Sequence, residues 1–155
     1  MISKNSSDKK VVLQTFQVMY AIEMELARLY SLFAVRFPED AVFWKKIAAD
    51  EVVHGDNIKR IISLISENNL VYIIGKSFSH KAAVLILENT RLYTDDAKMN
   101  CLTKEDAFSI ACGIEKAIIE SKYMDYLLTN NKEYNDFIEQ IVREEADHKG
   151  LFEKI

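Results

Sequence analysis

The sequence predicts an all-α fold: a four-helix bundle of two antiparallel hairpins joined by a long crossover that contains a short helix. Three observations predict it. Apolar residues recur at steps of three and four along most of the 155 residues, the seam pattern of packed helices. One Pro and four Gly leave few breakers among abundant helix formers. The link between paired helices is short, whereas roughly 35 residues separate the two halves, as a bundle with a crossover requires. The length suits one domain, residues 1–155, with a substantial core.

The first helix can start at Ser7 and Asp8. Its stripe is Val12, Phe16, Met19, Glu23, Leu26, Tyr30, Phe33 and Phe37, and Pro38 ends it. Glu23 is the one charged member. Asp40 can cap the second helix, whose stripe is Trp44, Ile47, Glu51, His54, Ile58, Ile61 and Ile65, with Asn68 and Asn69 closing the hairpin. The crossover, Asn69 to Thr103, holds an apolar run from Leu70 to Ile74, then Gly75, then a short helix from Lys81 to Thr90 or beyond. Thr103 and Asp106 resemble a capping box. The third long helix points Phe108, Ala111, Cys112, Glu115, Ile118, Ile119 and Tyr126 inward. After Asn130 and Asn131 the fourth does so with Tyr134, Ile138, Ile141, Glu145, His148, Phe152 and Ile155.

The polar members of these stripes carry the chemistry. Two Glu-x-x-His steps occur, Glu51 to His54 and Glu145 to His148, and each follows a lone seam Glu, Glu23 or Glu115. The offsets are similar, 28 residues from Glu23 to Glu51 and 30 from Glu115 to Glu145, so the chain reads as one two-helix unit twice. Residues three apart share a helical face, so each Glu and its His can reach the same ion or adjacent ions. Burying an unpaired carboxylate costs on the order of several kcal/mol, and four in one layer also repel. No Lys or Arg shares that layer; Lys122 lies on the third seam but two turns from Glu115. Two divalent cations neutralise four carboxylates and leave two imidazoles neutral. The pattern is therefore that of a dinuclear metal centre inside a bundle, with positions left open for reaction.

Other residues take blander roles. His80 falls in the crossover as a surface or cap residue. Glu25, Asp50, Glu120, Glu144 and Asp147 fall off the seams and are expected in solvent, Glu144 being adjacent to a ligand. Cys112 is expected as a small buried hydrophobe rather than a soft ligand. Net charge is −4 without a basic cluster, which argues against nucleic acid as the main partner. Two cysteines form no framework, and neither an apolar leader nor a membrane span is visible, so the cytoplasm is the expected location.

With these residues in hand, the chain resembles the ferritin-like di-iron carboxylate superfamily, and within it the rubrerythrin group. The resemblance covers all four long helices. Tyr30 follows Glu23 by seven residues and precedes Phe33-Ala34, and Tyr123 follows Glu115 by eight, as in that group. It implies two non-haem irons held by Glu23, Glu51, His54, Glu115, Glu145 and His148, with Tyr30 and Tyr123 hydrogen-bonding the ligand carboxylates. Mn or Zn also suits such donors. Two positions depart from the pattern. The group appends a rubredoxin domain, whereas this chain ends at Ile155, so the electron donor is expected to be a separate, rubredoxin-like protein. Ile118 stands where the group has an extra Glu, which leaves the symmetric four-Glu, two-His set of bacterioferritins and related oxidases. The expected function is a di-iron oxidoreductase acting on hydrogen peroxide or dioxygen, as a homodimer. The alternatives are a ferroxidase or iron-handling protein, an oxygenase, and a bundle that ions merely hold together.

Overall fold

The structure is a computed structural model that describes residues 5–99 and 101–154. Helix α1 (Asn5–Arg36) buries the stripe read from the sequence from Val12 through Phe33, and Phe37 is buried just past its end. It is already helical at Asn5, upstream of the expected start at Ser7 and Asp8. Pro38 opens the turn Pro38–Asp40, where its missing N–H costs nothing, and α2 (Ala41–Ser66) folds back along α1. Asp40 stands at the N-cap of α2 but makes no capping hydrogen bond; its carboxylate pairs with Lys104 at 3.0 Å instead. Past α2, Asn68 takes a left-handed conformation with φ 57°.

The crossover is more structured than expected. Its helix, α3 (His80–Lys98), runs well beyond Thr90 and packs against α1 through Ala83, Leu87, Thr90 and Thr94. Ser79 caps it by accepting from the Ala82 N–H at 3.1 Å. Before it, part of the apolar run forms strand β1 (Ile73–Ile74), paired antiparallel with β2 (Leu127–Leu128). Periodicity announces neither strand.

Helix α4 (Lys104–Glu120) opens on the capping box at Thr103 and Asp106, with bonds of 2.9 and 3.1 Å. It stops sooner than its stripe implies. Lys122 takes φ 57°, Tyr123–Asp125 form a 3-10 turn, and Tyr126 is buried from beyond the helix rather than on it. Lys122, expected on the seam, is exposed; Ile119 is 39% exposed and Cys112 half-buried. The competing interaction is the strand pair. The Gly75 N–H donates to the Tyr126 carbonyl at 2.7 Å, and a Cβ on Gly75 would meet the Asp125 carbonyl oxygen at 2.2 Å. Only glycine permits that approach.

Helix α5 (Lys132–Glu153) is capped by Asn131, which accepts from the Tyr134 N–H at 2.9 Å. It buries Tyr134, Ile141, Glu145, His148 and Phe152, with Ile138 half-buried; Ile155 lies outside the described residues. The described residues thus form an all-helical bundle of five helices with one small strand pair, and none of these helices is long and apolar enough to cross a membrane. Aromatic groups close both ends of the core. Trp44 packs on Phe33, Phe108 and Phe152, with centroids 4.9, 4.8 and 5.7 Å away. Phe16 packs on Tyr126 and Tyr134 at 5.7 and 6.4 Å. The polar layer lies between them, shielded from water.

Candidate metal centre

Each long helix contributes one step of its seam to a single layer: Glu23 from α1, Glu51 and His54 from α2, Glu115 from α4, Glu145 and His148 from α5. Their relative exposures run from 0 to 2%. The six residues expected from the sequence are therefore brought together. They fall into two overlapping groups, Glu23, Glu51, His54 and Glu145, and Glu51, Glu115, Glu145 and His148. Within each group, one ligand atom per residue lies within 4.8 Å of the others. Glu51 and Glu145 belong to both.

The imidazoles are oriented alike. His54 Nδ1 faces the layer, 3.1 Å from Glu145 Oε1, 3.2 Å from Glu51 Oε2 and 3.7 Å from Glu23 Oε2. His148 Nδ1 faces it too, 3.0 Å from Glu51 Oε1 and 3.5 Å from Glu115 Oε1. The opposite nitrogens meet carboxylates at the rim: His54 Nε2 lies 2.6 Å from Glu144 Oε2, and His148 Nε2 lies 3.0 Å from Asp50 Oδ2. Each rim acid comes from the opposite hairpin. A proton on Nε2 donated to these acids leaves the Nδ1 lone pair facing inward, the arrangement in which histidine binds metals.

No family model, curated protein or solved structure matches this chain. What the cluster can do is therefore argued from its chemistry.

Without an ion the layer is electrostatically frustrated. Burial, with the Glu115 and Glu23 carboxylates beside it, pushes the Glu51 carboxyl well above its usual range. Glu115 is raised as well, chiefly by burial. Burial would also raise Glu23, but the neighbouring His54 and Glu51 hold it below. Burial opposes a charge on His54, yet the Glu23 and Glu51 carboxylates prevail and it is pushed up to about 11. His148 moves up for the same reason, burial being outweighed by Glu115 and Asp50. Even so, Glu23 Oε2, Glu51 Oε1, Glu115 Oε2, Glu145 Oε2 and His148 Nδ1 have no hydrogen-bond partner. The 3.0 Å approach of His148 Nδ1 to Glu51 Oε1 lacks hydrogen-bond geometry. Five such atoms converging in a dry core fit cations: hard carboxylate oxygens with one imidazole per group suit iron, manganese or zinc.

Two tyrosines support the carboxylates. Tyr30 donates to Glu115 Oε1 at 3.0 Å, and Tyr123 donates to Glu23 Oε1 at 3.2 Å. Burial and the adjacent carboxylates push both phenols well above 10, so they remain donors. Tyr123 does this from the turn after α4, not from the helix.

Asp50 and Glu144 are corrections to the sequence reading, which assigned them to solvent. They are 29% and 28% exposed, and their carboxylates turn in to the imidazoles. A signal was present: an acid immediately precedes the Glu of both Glu-x-x-His steps. His80 bonds Thr15 at 3.1 Å in the first turn of α3, away from the layer, and Cys112 belongs to neither ligand group.

Proposed function

We propose that the cluster is a di-iron centre and that the chain is a ferritin-like, rubrerythrin-type oxidoreductase acting on hydrogen peroxide or dioxygen. The observation that carries this is four buried carboxylates in one layer, paired among the described residues with imidazoles rather than Lys or Arg. Glu51 and Glu145, shared by both groups, would bridge. Glu23 with His54, and Glu115 with His148, would be the remaining ligands of each ion. Two ferrous ions held there would supply the two electrons that, with two protons, reduce hydrogen peroxide to two waters.

The chain's own residues perform the supporting work. Tyr30 and Tyr123 orient the terminal carboxylates and keep protons beside the layer. Glu144 and Asp50 fix the imidazole tautomers. The aromatic groups at either end of the core keep bulk water from the layer, which strengthens every charge interaction within it. A separate donor protein would restore the electrons.

Anaerobic loading with Fe²⁺ followed by peroxide titration tests this. The expectation is about two irons per chain, from the two ligand groups, and oxidation by about one peroxide per pair. Metal uptake without oxidation within minutes would refute the oxidoreductase reading and leave a bundle held by its ions. Continued turnover of added Fe²⁺ in a very large particle would instead indicate iron storage.

A further inference from the structure

A cavity of about 180 Å³ opens beside the polar layer, walled by the end of α4, the turn after it and α5. Ile118, Ile119, Val142 and Tyr123 make its apolar surface, Lys122 and Asp125 also line it, and Glu145 reaches it from the layer. Glu145 is 1% exposed and its Oε2 has no hydrogen-bond partner, so a buried polar atom adjoins a largely apolar space. We propose that this cavity binds a small neutral molecule with an apolar body, a single aromatic ring or a short alkyl chain, against the Glu145 side of the centre.

Size, wall chemistry and charge argue for that class. A dry apolar cavity of about 150 Å³ accommodates benzene, so the space here suits a guest of that order. Hydrogen peroxide is far smaller and gains nothing from isoleucine and valine walls, whereas an apolar guest gains about 25 cal/mol for each Å² it buries. Lys122 and Asp125 carry opposite charges and offset one another. An anionic guest would then face the carboxylate of Glu145. That the guest meets an ion there rests on the di-iron reading; that the cavity takes it does not.

Toluene is the probe. The full chain, labelled with ¹³C at its isoleucine methyls, is titrated with toluene in the metal-free and iron-loaded forms. Saturable shifts at Ile118 and Ile119 are expected, with a change in the iron-loaded absorption spectrum over the same concentration range. Val142 is 40% exposed, so Val142→Phe fills the cavity without disturbing the core. It should weaken toluene binding about tenfold or more while iron content stays unchanged. Absence of saturable shifts or unchanged affinity in Val142→Phe would overturn the proposal, and an iron spectrum indifferent to bound toluene would overturn its placement of the guest against the centre. A protein that binds toluene but takes up no metal would instead overturn the di-iron reading and leave the cavity assignment standing.

Discussion

Glu51 reaches both imidazoles and both ligand groups, and substitution there has opposite consequences with and without metal. Its carboxyl is raised well above 4.5 in the metal-free fold, so its ionised form costs stability once the pH exceeds the unfolded value. Glu51→Gln imitates the protonated acid. The metal-free variant should therefore melt higher at neutral pH, by roughly 1–2 kcal/mol. The same variant should fail to retain about two irons, since glutamine is a poor bridge. A variant that keeps its iron and melts lower in both states would sink the assignment. His54 gives the matching pH dependence. Its folded pKa of about 11 exceeds 6.5, so its contribution to the metal-free fold is complete below about 6.5 and is lost as the pH climbs through about 11. A metal on Nδ1 must displace that proton, so uptake near neutral pH should release protons, measurable with an indicator in weakly buffered solution. The six residues of the buried layer were legible because a charged residue in an apolar stripe has one place to point. Asp50 and Glu144 were not, because a helical wheel gives a residue's face but not the neighbouring helix it meets. Each sits about 100° round from its Glu, and it is the facing hairpin that brings a histidine to it.

At the scale of elements, the end of α4 decides how Tyr123 meets Glu23. A lysine rather than a glycine occupies the left-handed position that ends this helix, so no breaker marks the stop. The following Tyr126 and Leu127 are buried and continue an apolar pattern that reads as helix. What overrides it is non-local: β1, more than 50 residues upstream, pairs with β2 and brings Gly75 against Asp125. Single-sequence periodicity does not register such a partner. The extension of α3 past Thr90, which the sequence left open, has a simpler cause, since nothing between Thr90 and Lys98 breaks a helix and its Ala83, Leu87, Thr90, Thr94 stripe has helical spacing. Gly75→Ala tests the clamp. Its Cβ would lie 2.2 Å from the Asp125 carbonyl oxygen, so the turn must retreat and take Tyr123 with it. A loss of about 1–3 kcal/mol is expected, from thermal melts. The iron-loaded absorption spectrum should shift in the same direction as that of a Tyr123→Phe variant, which removes the hydroxyl but leaves the clamp. A Gly75→Ala protein with unaltered melting and spectrum would show that the turn does not depend on β1.

For the whole molecule, a metal-filled centre would do what packing does less completely. α1 packs chiefly on α2, and α4 on α5, while fewer contacts join α2 to α5. Each ligand group crosses that seam: Glu145 joins Glu23, Glu51 and His54, and Glu51 joins Glu115, Glu145 and His148. Two ions would therefore tie the hairpins together through the core, and the repeat of a Glu with a later Glu-x-x-His, visible in the sequence, would be the repeat of that staple. Removing the ions should loosen the join before it unfolds either hairpin. Chelation is expected to lower the melting temperature and to speed amide exchange first around Glu51 and Glu145, where the two groups overlap. Added metal should reverse both effects by mass action, giving about 2.7 kcal/mol per site at a hundredfold excess over Kd, or roughly 5–10 °C for a chain of this size. The size of the shift should follow free metal concentration logarithmically. An ion held on the surface would give at most a weak shift and leave exchange at the layer unaltered. Melting and exchange both indifferent to chelator and to metal would mean that the four carboxylates share protons and imidazoles instead of ions. In that case the elevated His54 would be the main electrostatic support of the bundle, and raising the pH toward 11 would open it along the same seam.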